Sequence, residues 1–500
     1  MMEKTDLQNT VEEGEPQEKA VRLQKLRALR ESGINPFAYT FSRTHTLAEI
    51  LVQYDGLQID EKSEDKVATC GRLVAKRGHG KATFGNILDE STKIQIYANV
   101  DTLGEVFYER YLSLDVGDII GVSGRPFRTK RGELSLFVEE VTLLTKSLSP
   151  LPEKYHGLQD KELRYRMRYV DLIANPEVRV TFKTRSQILG FIRSFLANSG
   201  FMEVETPVLH SLYGGASAKP FVTHHNALDQ RLYLRIALEL HLKRLVVGGF
   251  EKVFEIGRVF RNEGISFKHN PEYTLLELYQ AYADYTDVMA LTESLLSSMV
   301  HHLFGSYNLV YQGKDLDFTP PFQRMTLKES LLRFANMDAD ASLETLLAFA
   351  KKLGLDDTVQ PVRGQLIAFI YDKAVEHHLV QPTFIVDYPW ETSPLAKKKR
   401  DNPELVERFE LIIHGMEVAN AFSELNDPED QFERFSEQVA AKKAGWEETH
   451  EMDEDYINAL NYGLPPTGGL GIGIDRVVML MTDMPSIRDV LFFPHLREKL

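Results

Sequence analysis

Residues Val259–Tyr279 read VFRNEGISFKHNPEYTLLELY, and the stretch changes character twice. Its two ends carry the aromatic, β-branched and leucine-rich residues of strands, whereas the middle is Gly, Lys, His and Asn-Pro, which is loop composition. With the preceding EKVFEIGR it predicts an antiparallel pair joined by a long loop. Period-two alternation puts Arg261 and Glu263 on one face of the first strand, and Tyr273, Leu275, Glu277 and Tyr279 on one face of the second. If the two faces coincide, one side of a sheet gathers a cation, an aromatic plate and carboxylates, with Lys268 and His269 on the loop above. Each such group must be solvated or paired, so a purely structural hairpin has little reason to collect them.

Two further stretches carry the same kind of signal. In RFELIIHGMEVANAFSELND a two-residue turn at His414-Gly415 makes Glu410 and Glu417 diagonal neighbours on one face, close enough to share a divalent cation. Asn420, Phe422 and Glu424 alternate on a face of the other parity. Bringing both groups into one pocket requires a bulge, which no residue announces. In GGLGIGIDR glycines at 469, 471 and 473 predict a strand that a ligand or another backbone can approach closely, with Arg476 opening a helix. The spacing is neither that of a dinucleotide-binding loop nor that of a phosphate loop.

Composition bounds these readings. At 500 residues the chain exceeds the usual size of a single core, so two domains or more are expected. Hydrophobic residues make up 43% and charged residues 26%, as in soluble enzymes. The single cysteine, Cys70, excludes an intrachain disulfide and a multi-cysteine zinc site, and fits a reducing compartment. No basic leader and no run of about 18 apolar residues appears, so a cytoplasmic protein that does not span a membrane is expected. The net charge of −15 disfavours wrapping nucleic acid over the whole surface but leaves a local basic face open. The histidine pairs at 224–225, 301–302 and 377–378 lack metal-ligand spacing and read as ordinary histidines.

Along the chain, residues 1–16 are polar and acidic and predict a disordered start. The following QEKAVRLQKLRALRESG predicts an amphipathic basic helix, either lying on its own domain or also facing RNA phosphates. From Val67 to Leu144 five short β-type runs, with a helical segment between the third and fourth, predict an OB barrel. Phe84 and Tyr97 lie near Arg72, Lys76, Arg77 and Lys81. The rings serve equally well as barrel core or as a base-stacking platform beside a basic groove. Residues 17–150 are therefore read as the helix plus barrel, 151–170 as a linker containing PLP, and 171–500 as a mixed α/β domain with a largely helical insertion near 326–382.

Together these stretches resemble the class II aminoacyl-tRNA synthetases. FRNE with His269 and Tyr273 is similar to their motif 2, GLGIGIDR to motif 3, and GFMEVETPVL (Gly200–Leu209) to motif 1, which carries a fixed proline, here Pro207. The preceding OB module resembles the subgroup for Asp, Asn and Lys. YLRIALELHLKRLVVGGFEKVFEIGRVFRNEG and NAFSELNDP resemble lysyl-tRNA synthetases. Chemistry points the same way, because an ammonium on an aliphatic chain needs buried carboxylates and an aromatic wall, available in Glu239, Glu424, Tyr279 and Phe422.

The resemblance implies an α+β fold: a five-stranded OB barrel followed by an antiparallel sheet flanked by helices, in a homodimer formed through motif 1. It implies ATP, L-lysine and tRNA(Lys) as substrates and Mg²⁺ as cofactor. Arg261 and Arg476 become the catalytic cations, clamping phosphates, with Glu263, His269 and Tyr273 also holding ATP. Gly215, Glu239, Glu277, Tyr279, Asn420, Phe422 and Glu424 line the lysine site, and Glu410 and Glu417 hold the metal. In the barrel, Phe84 stacks on an anticodon base, Gln95 and Glu133 read base edges, and Arg72 lies on the phosphate side. Ala419 and Ala421 stand where bacterial members commonly carry glycine. The rival readings are an aspartyl or asparaginyl enzyme, a non-catalytic relative, and a paralogue that lysylates a protein.

Overall fold

Buried and half-buried residues alternate along β1 (Val67–Arg77), β2 (Ala82–Leu88) and β3 (Lys93–Asn99), and less regularly along β4 (Ile119–Arg128) and β5 (Leu134–Thr145). In the computed structural model, which describes residues 15–78, 80–152, 158–216, 218–356, 361–443 and 452–498, these strands close into a barrel in the order β1-β2-β3-β5-β4, with β4 returning to β1. The barrel interior is aliphatic: Leu73, Ile87, Ile94, Ile96, Ile120, Val122, Leu136 and Val138. Each side chain of this size contributes about 1.5–3 kcal/mol by leaving water. The helical segment between β3 and β4 closes the barrel with Tyr108 and Tyr111.

The chain separates into two compact units, Met1–Leu158 and Gln159–Leu500. In the first unit a helix runs from Glu15 to Glu31, so the expected disordered start, 1–16, lies outside the described residues except at its last two positions. Two of the helix cations are bound to their own unit: Arg22 donates to the Val116 carbonyl at 3.0 Å, and Lys25 pairs with Asp115 at 2.5 Å.

The second unit is built on eight strands. These are β6 (Met202–Glu203), β7 (Lys252–Phe260), β8 (Glu272–Ala281), β9 (Gln323–Thr326), β10 (Thr383–Pro389), β11 (Leu405–Ile413), β12 (Met416–Ser423) and β13 (Thr467–Gly473). Their order is β9-β10-β11-β12-β13-β8-β7-β6, antiparallel throughout except for the parallel pairs at the two ends. One face packs on the helices Val178–Asn198, Tyr285–Phe304 and Ile474–Met481 through Ile192, Leu296, Met299, Leu276, Leu411 and Val478. The other face carries the polar groups.

The described part of 326–382 is mostly helical, with helices Leu343–Lys352 and Arg363–Ala374 packing Leu331, Leu346 and Ile370 against Ile385, Val406 and Ile412 of the sheet. The linker reading needs correction. Within 151–170, helices Lys161–Arg166 and Arg168–Ala174 belong to the second unit. They are too short to show periodicity, and what holds them is tertiary: buried Arg168 pairs with Asp171 at 2.7 Å and donates to the carbonyls of Arg488 and Phe492. No helix among the described residues is long and apolar enough to cross a membrane.

Candidate active site

The β7–β8 pairing brings the two polar faces together. Val259 opposes Tyr273, Gly257 opposes Leu275, Glu255 opposes Glu277, and Val253 opposes Tyr279. Arg261 has the parity of Val259, so the faces coincide. Its backbone N–H closes the loop on the Pro271 carbonyl at 2.8 Å. The Arg261 guanidinium lies 5.4 Å from the Tyr273 ring centroid.

β13 explains its glycines. Gly469 lies between Tyr279 and Phe422, and Gly471 between Glu277 and Asn420, so the polar side chains stand on both sides of a floor that has none. A Cβ on Gly471 would meet nothing closer than 3.9 Å, whereas one on Gly469 would lie 1.9 Å from Glu424 Oε1. The first glycine faces open space, and the second makes room for a carboxylate.

The β11–β12 hairpin contains the required bulge. Leu411 opposes Ala419 but Ile412 opposes Glu417, leaving Val418 as the extra residue. This single irregularity brings Glu417 and the set Asn420, Phe422, Glu424 onto one side of the sheet despite their opposite parity. At the turn, His414 and Gly415 both have positive φ, 51° and 63°, as a tight two-residue hairpin demands.

Around this floor is a cavity of about 470 Å³, lined by Gly215, Glu239, Arg261, Glu263, His269, Tyr273, Glu277, Tyr279, Glu417, Asn420, Phe422, Glu424 and Arg476. Of the site residues named from the sequence of this unit, Glu410 alone is not on the wall. It lies one diagonal step from Glu417 and pairs with Arg408 at 2.5 Å, while Arg408 also donates to Asn420 Oδ1 at 3.0 Å.

The electrostatics divide the cavity. Arg476 sits at one end on the helix Ile474–Met481, whose first turn is held by Asp475 accepting from Arg185 at 2.6 Å and from the Thr274 N–H at 2.7 Å. Its guanidinium lies 3.4 Å from His269 Nε2 and donates to the Glu417 carbonyl. At the other end Glu239, Glu277 and Glu424 converge, all buried. Burial, reinforced by Glu239, pushes the Glu277 carboxyl up to about 8, although it accepts from the Leu238 N–H at 3.1 Å and the Tyr279 hydroxyl at 3.2 Å. Burial also pushes Glu424 well up.

The chemistry of the donor set fits a divalent cation at Glu410 and Glu417. Burial, opposed by Arg408 and reinforced by Glu417, pushes the Glu410 carboxyl up to about 7, and a divalent cation shared with Glu417 would offset that burial. Among the described residues no group of three or more carboxylate, histidine or cysteine side chains is arranged for a metal. A cation held by two carboxylates would complete its shell from water or a bound phosphate.

In the first unit, Phe84, Tyr97, Phe137 and Phe127 form a chain of rings with centroids 4.8–6.0 Å apart. They stand on the outer face, with Phe84 39% exposed, so they are not barrel core. Gln95 donates to Glu133 at 2.8 Å on the same side. Arg72 is set apart, several positions along β1, with its guanidinium on the Gly117 carbonyl at 2.7 Å. The cation opposite Phe84 is Arg77, which strand register reveals and spacing alone does not. Sequence reasoning missed Arg408 and Lys243, the latter a buried lysine paired with Glu239 and Glu424.

Residues 67–144 match the family described as OB-fold nucleic acid binding domain, and residues 160–497 match tRNA synthetases class II (D, K and N). A lysine–tRNA ligase of Moorella thermoacetica is 54% identical over 96% of this chain and 98% of its own length. One from Thermoanaerobacter pseudethanolicus is 54% identical over 96% of each chain, and one from Halalkalibacterium halodurans is 51% identical over 96% and 97%. A cavity with cations at one end and carboxylates at the other, carried on this sheet and matched over this span, means that the chain belongs to the class II tRNA synthetases (D, K and N), in the branch of the lysine–tRNA ligases.

Proposed function

We propose that the protein is an ATP-dependent ligase that activates L-lysine to lysyl-adenylate, releasing pyrophosphate, and then transfers the lysyl group to the terminal ribose of tRNA(Lys) for protein synthesis. The observation that carries the choice of lysine is the convergence of Glu239, Glu277 and Glu424 at the end of the cavity away from Arg476. An aspartate side chain would meet like charge there, at a cost of several kcal/mol, and an asparagine amide would bring no counter-charge. An ammonium finds counter-charge, with Tyr279 and Phe422 as the wall of its aliphatic stem.

In the first step an oxygen of the lysine carboxylate attacks the α-phosphorus of ATP and the bond to pyrophosphate breaks. No protein nucleophile is needed, and catalysis is alignment plus charge stabilisation. Arg261 clamps the α-phosphate. Tyr273 and Arg476 enclose the adenine, Glu263 meets its edge, and Arg476 with His269 reaches the distal phosphates. Gly215 and Asn420 orient the amino acid. Glu410 and Glu417 would hold Mg²⁺, which would neutralise charge on the phosphates. In the second step a ribose hydroxyl attacks the lysyl carbonyl and AMP leaves. Phe84 stacks on an anticodon base while Gln95 and Glu133 read base edges, with Arg72 and Arg77 toward the phosphates.

Residues 17–150 then become the tRNA-reading domain, and the second unit, Gln159–Leu500, the catalytic domain. Exposed Val208, Leu209, Leu212 and Val222 in and after motif 1 support a homodimer, testable by sedimentation, and we assign the enzyme to the cytoplasm. The deciding experiment is ATP–pyrophosphate exchange with each of the twenty amino acids, with Mg²⁺ and without tRNA. Exchange with lysine alone is expected. Exchange with aspartate or asparagine would discard the pocket assignment, and no exchange with any amino acid would favour a non-catalytic relative.

A further inference from the structure

Lys243 is fully buried, yet it does not line the cavity. The helix Glu239–Val247 places it one turn from Glu239, and its ammonium is 2.5 Å from Glu239 Oε1 and in contact with Glu424 Oε2. Glu239 and Glu424 do line the cavity, so the lysine reaches both carboxylates from behind. The rings of Phe422, Tyr456 and Tyr279 surround the ammonium at 5.5–5.9 Å. Glu424 Oε1 faces the gap left by Gly469 and has no hydrogen-bond partner among the described residues.

We propose that Lys243 is a specificity-determining positioning residue: its ammonium orients Glu239 and Glu424 and balances one of their two charges, so that the wall accepts one side-chain ammonium and refuses a neutral isostere. The inference rests on the reading of the cavity as a lysine site. Titratable groups face the ammonium from several elements: Glu239 on its own helix, Tyr279 on β8, Glu424 beyond β12, and Tyr456 on the helix Glu454–Asn461, with Glu277 on β8 beside Glu239 and Glu424. Burial works against the Lys243 charge, but Glu239 and Glu424 outweigh it and hold the group protonated. Remove that charge and two buried carboxylates must share a proton. A protonated carboxyl donates a hydrogen bond, and the wall then loses its preference for an ammonium over an uncharged group.

The test uses full-length Lys243→Met, which keeps the length and loses the charge, with Lys243→Arg beside it, in lysine-dependent ATP–pyrophosphate exchange. For Lys243→Met the lysine KM is expected to rise about tenfold or more with the ATP KM within about twofold, and the acidic limb of kcat/KM for lysine to move up by about one pH unit. The preference for lysine over norleucine falls about tenfold, and Lys243→Arg restores most of both losses. A folded Lys243→Met enzyme with lysine KM, acidic limb and preference all unchanged overturns the proposal, while lysine exchange by the unaltered enzyme keeps the function itself. Should Lys243→Met fail to fold, competitive acetylation of the unaltered enzyme, read by mass spectrometry, decides. Lys243 is expected to stay unlabelled with and without lysine, and labelling that appears with lysine would show that its ammonium leaves the wall.

Discussion

Gly469 lacks a side chain where Glu424 needs the space. Since a Cβ there would fall 1.9 Å from Glu424 Oε1 and 2.6 Å from the Tyr279 ring, and the strand is central, neither neighbour can yield without moving the pocket. Gly469→Ala is expected to raise the lysine KM at least about tenfold and to cost about 1–3 kcal/mol of stability. Exchange kinetics and urea unfolding check the two halves. Glu277 makes a second prediction. Its carboxyl, pushed up to about 8 chiefly by burial, carries a proton at pH values below that and must lose it to accept an ammonium. Lysine binding at about pH 7 should therefore release protons, and lysine affinity should rise with pH until the group is ionised in the free enzyme. Calorimetry in two buffers of different ionisation enthalpy reads this directly, and proton uptake would remove Glu277 from the lysine site. These residues were legible as candidates because they alternate on strands. Lys243 was not, since on a helix next to Glu239 a lysine reads as a surface i,i+4 partner, and only tertiary packing buries it.

At the scale of elements, the hairpin β7–β8 follows from alternation and loop composition, and its register makes the parity argument concrete. The hairpin β11–β12 does not follow so simply. Its turn is written in His414-Gly415, but the bulge at Val418 has no local signature, because any residue with room to bend can occupy one. Inserting one residue between Leu411 and Ile412, opposite Val418, would restore regular pairing and turn Glu417 to the face opposite Asn420, Phe422 and Glu424. Exchange activity is expected to vanish. Activity within about tenfold of the parent would show that the bulge is dispensable, since a one-residue register change reverses every side chain beyond it. The helices Lys161–Arg166 and Arg168–Ala174 failed to register as helices for a related reason: a stretch of one or two turns shows no period, and the buried Arg168–Asp171 pair becomes decisive only once a neighbour covers it.

At the scale of the molecule, two units carry separable tasks. Phe84→Ala in the intact chain removes the exposed end of the ring chain on the barrel. It is expected to weaken tRNA(Lys) by about 1–3 kcal/mol, seen as a higher KM in aminoacylation, with lysine-dependent exchange unchanged because no tRNA enters that assay. A loss in exchange of similar size would mean that Phe84 supports folding instead. By itself the sequence determined the succession of barrel and sheet, the polar face of β7–β8, the acidic set around Glu424 and the glycine ladder of β13, since each is encoded in periodicity or in a residue type with few alternatives. Tertiary structure alone decided that the bulge unites two faces, that Arg77 and not Arg72 stands opposite Phe84, and that Lys243 backs the carboxylate wall. All three depend on register and burial, which are properties of chain segments brought together and not of any segment alone.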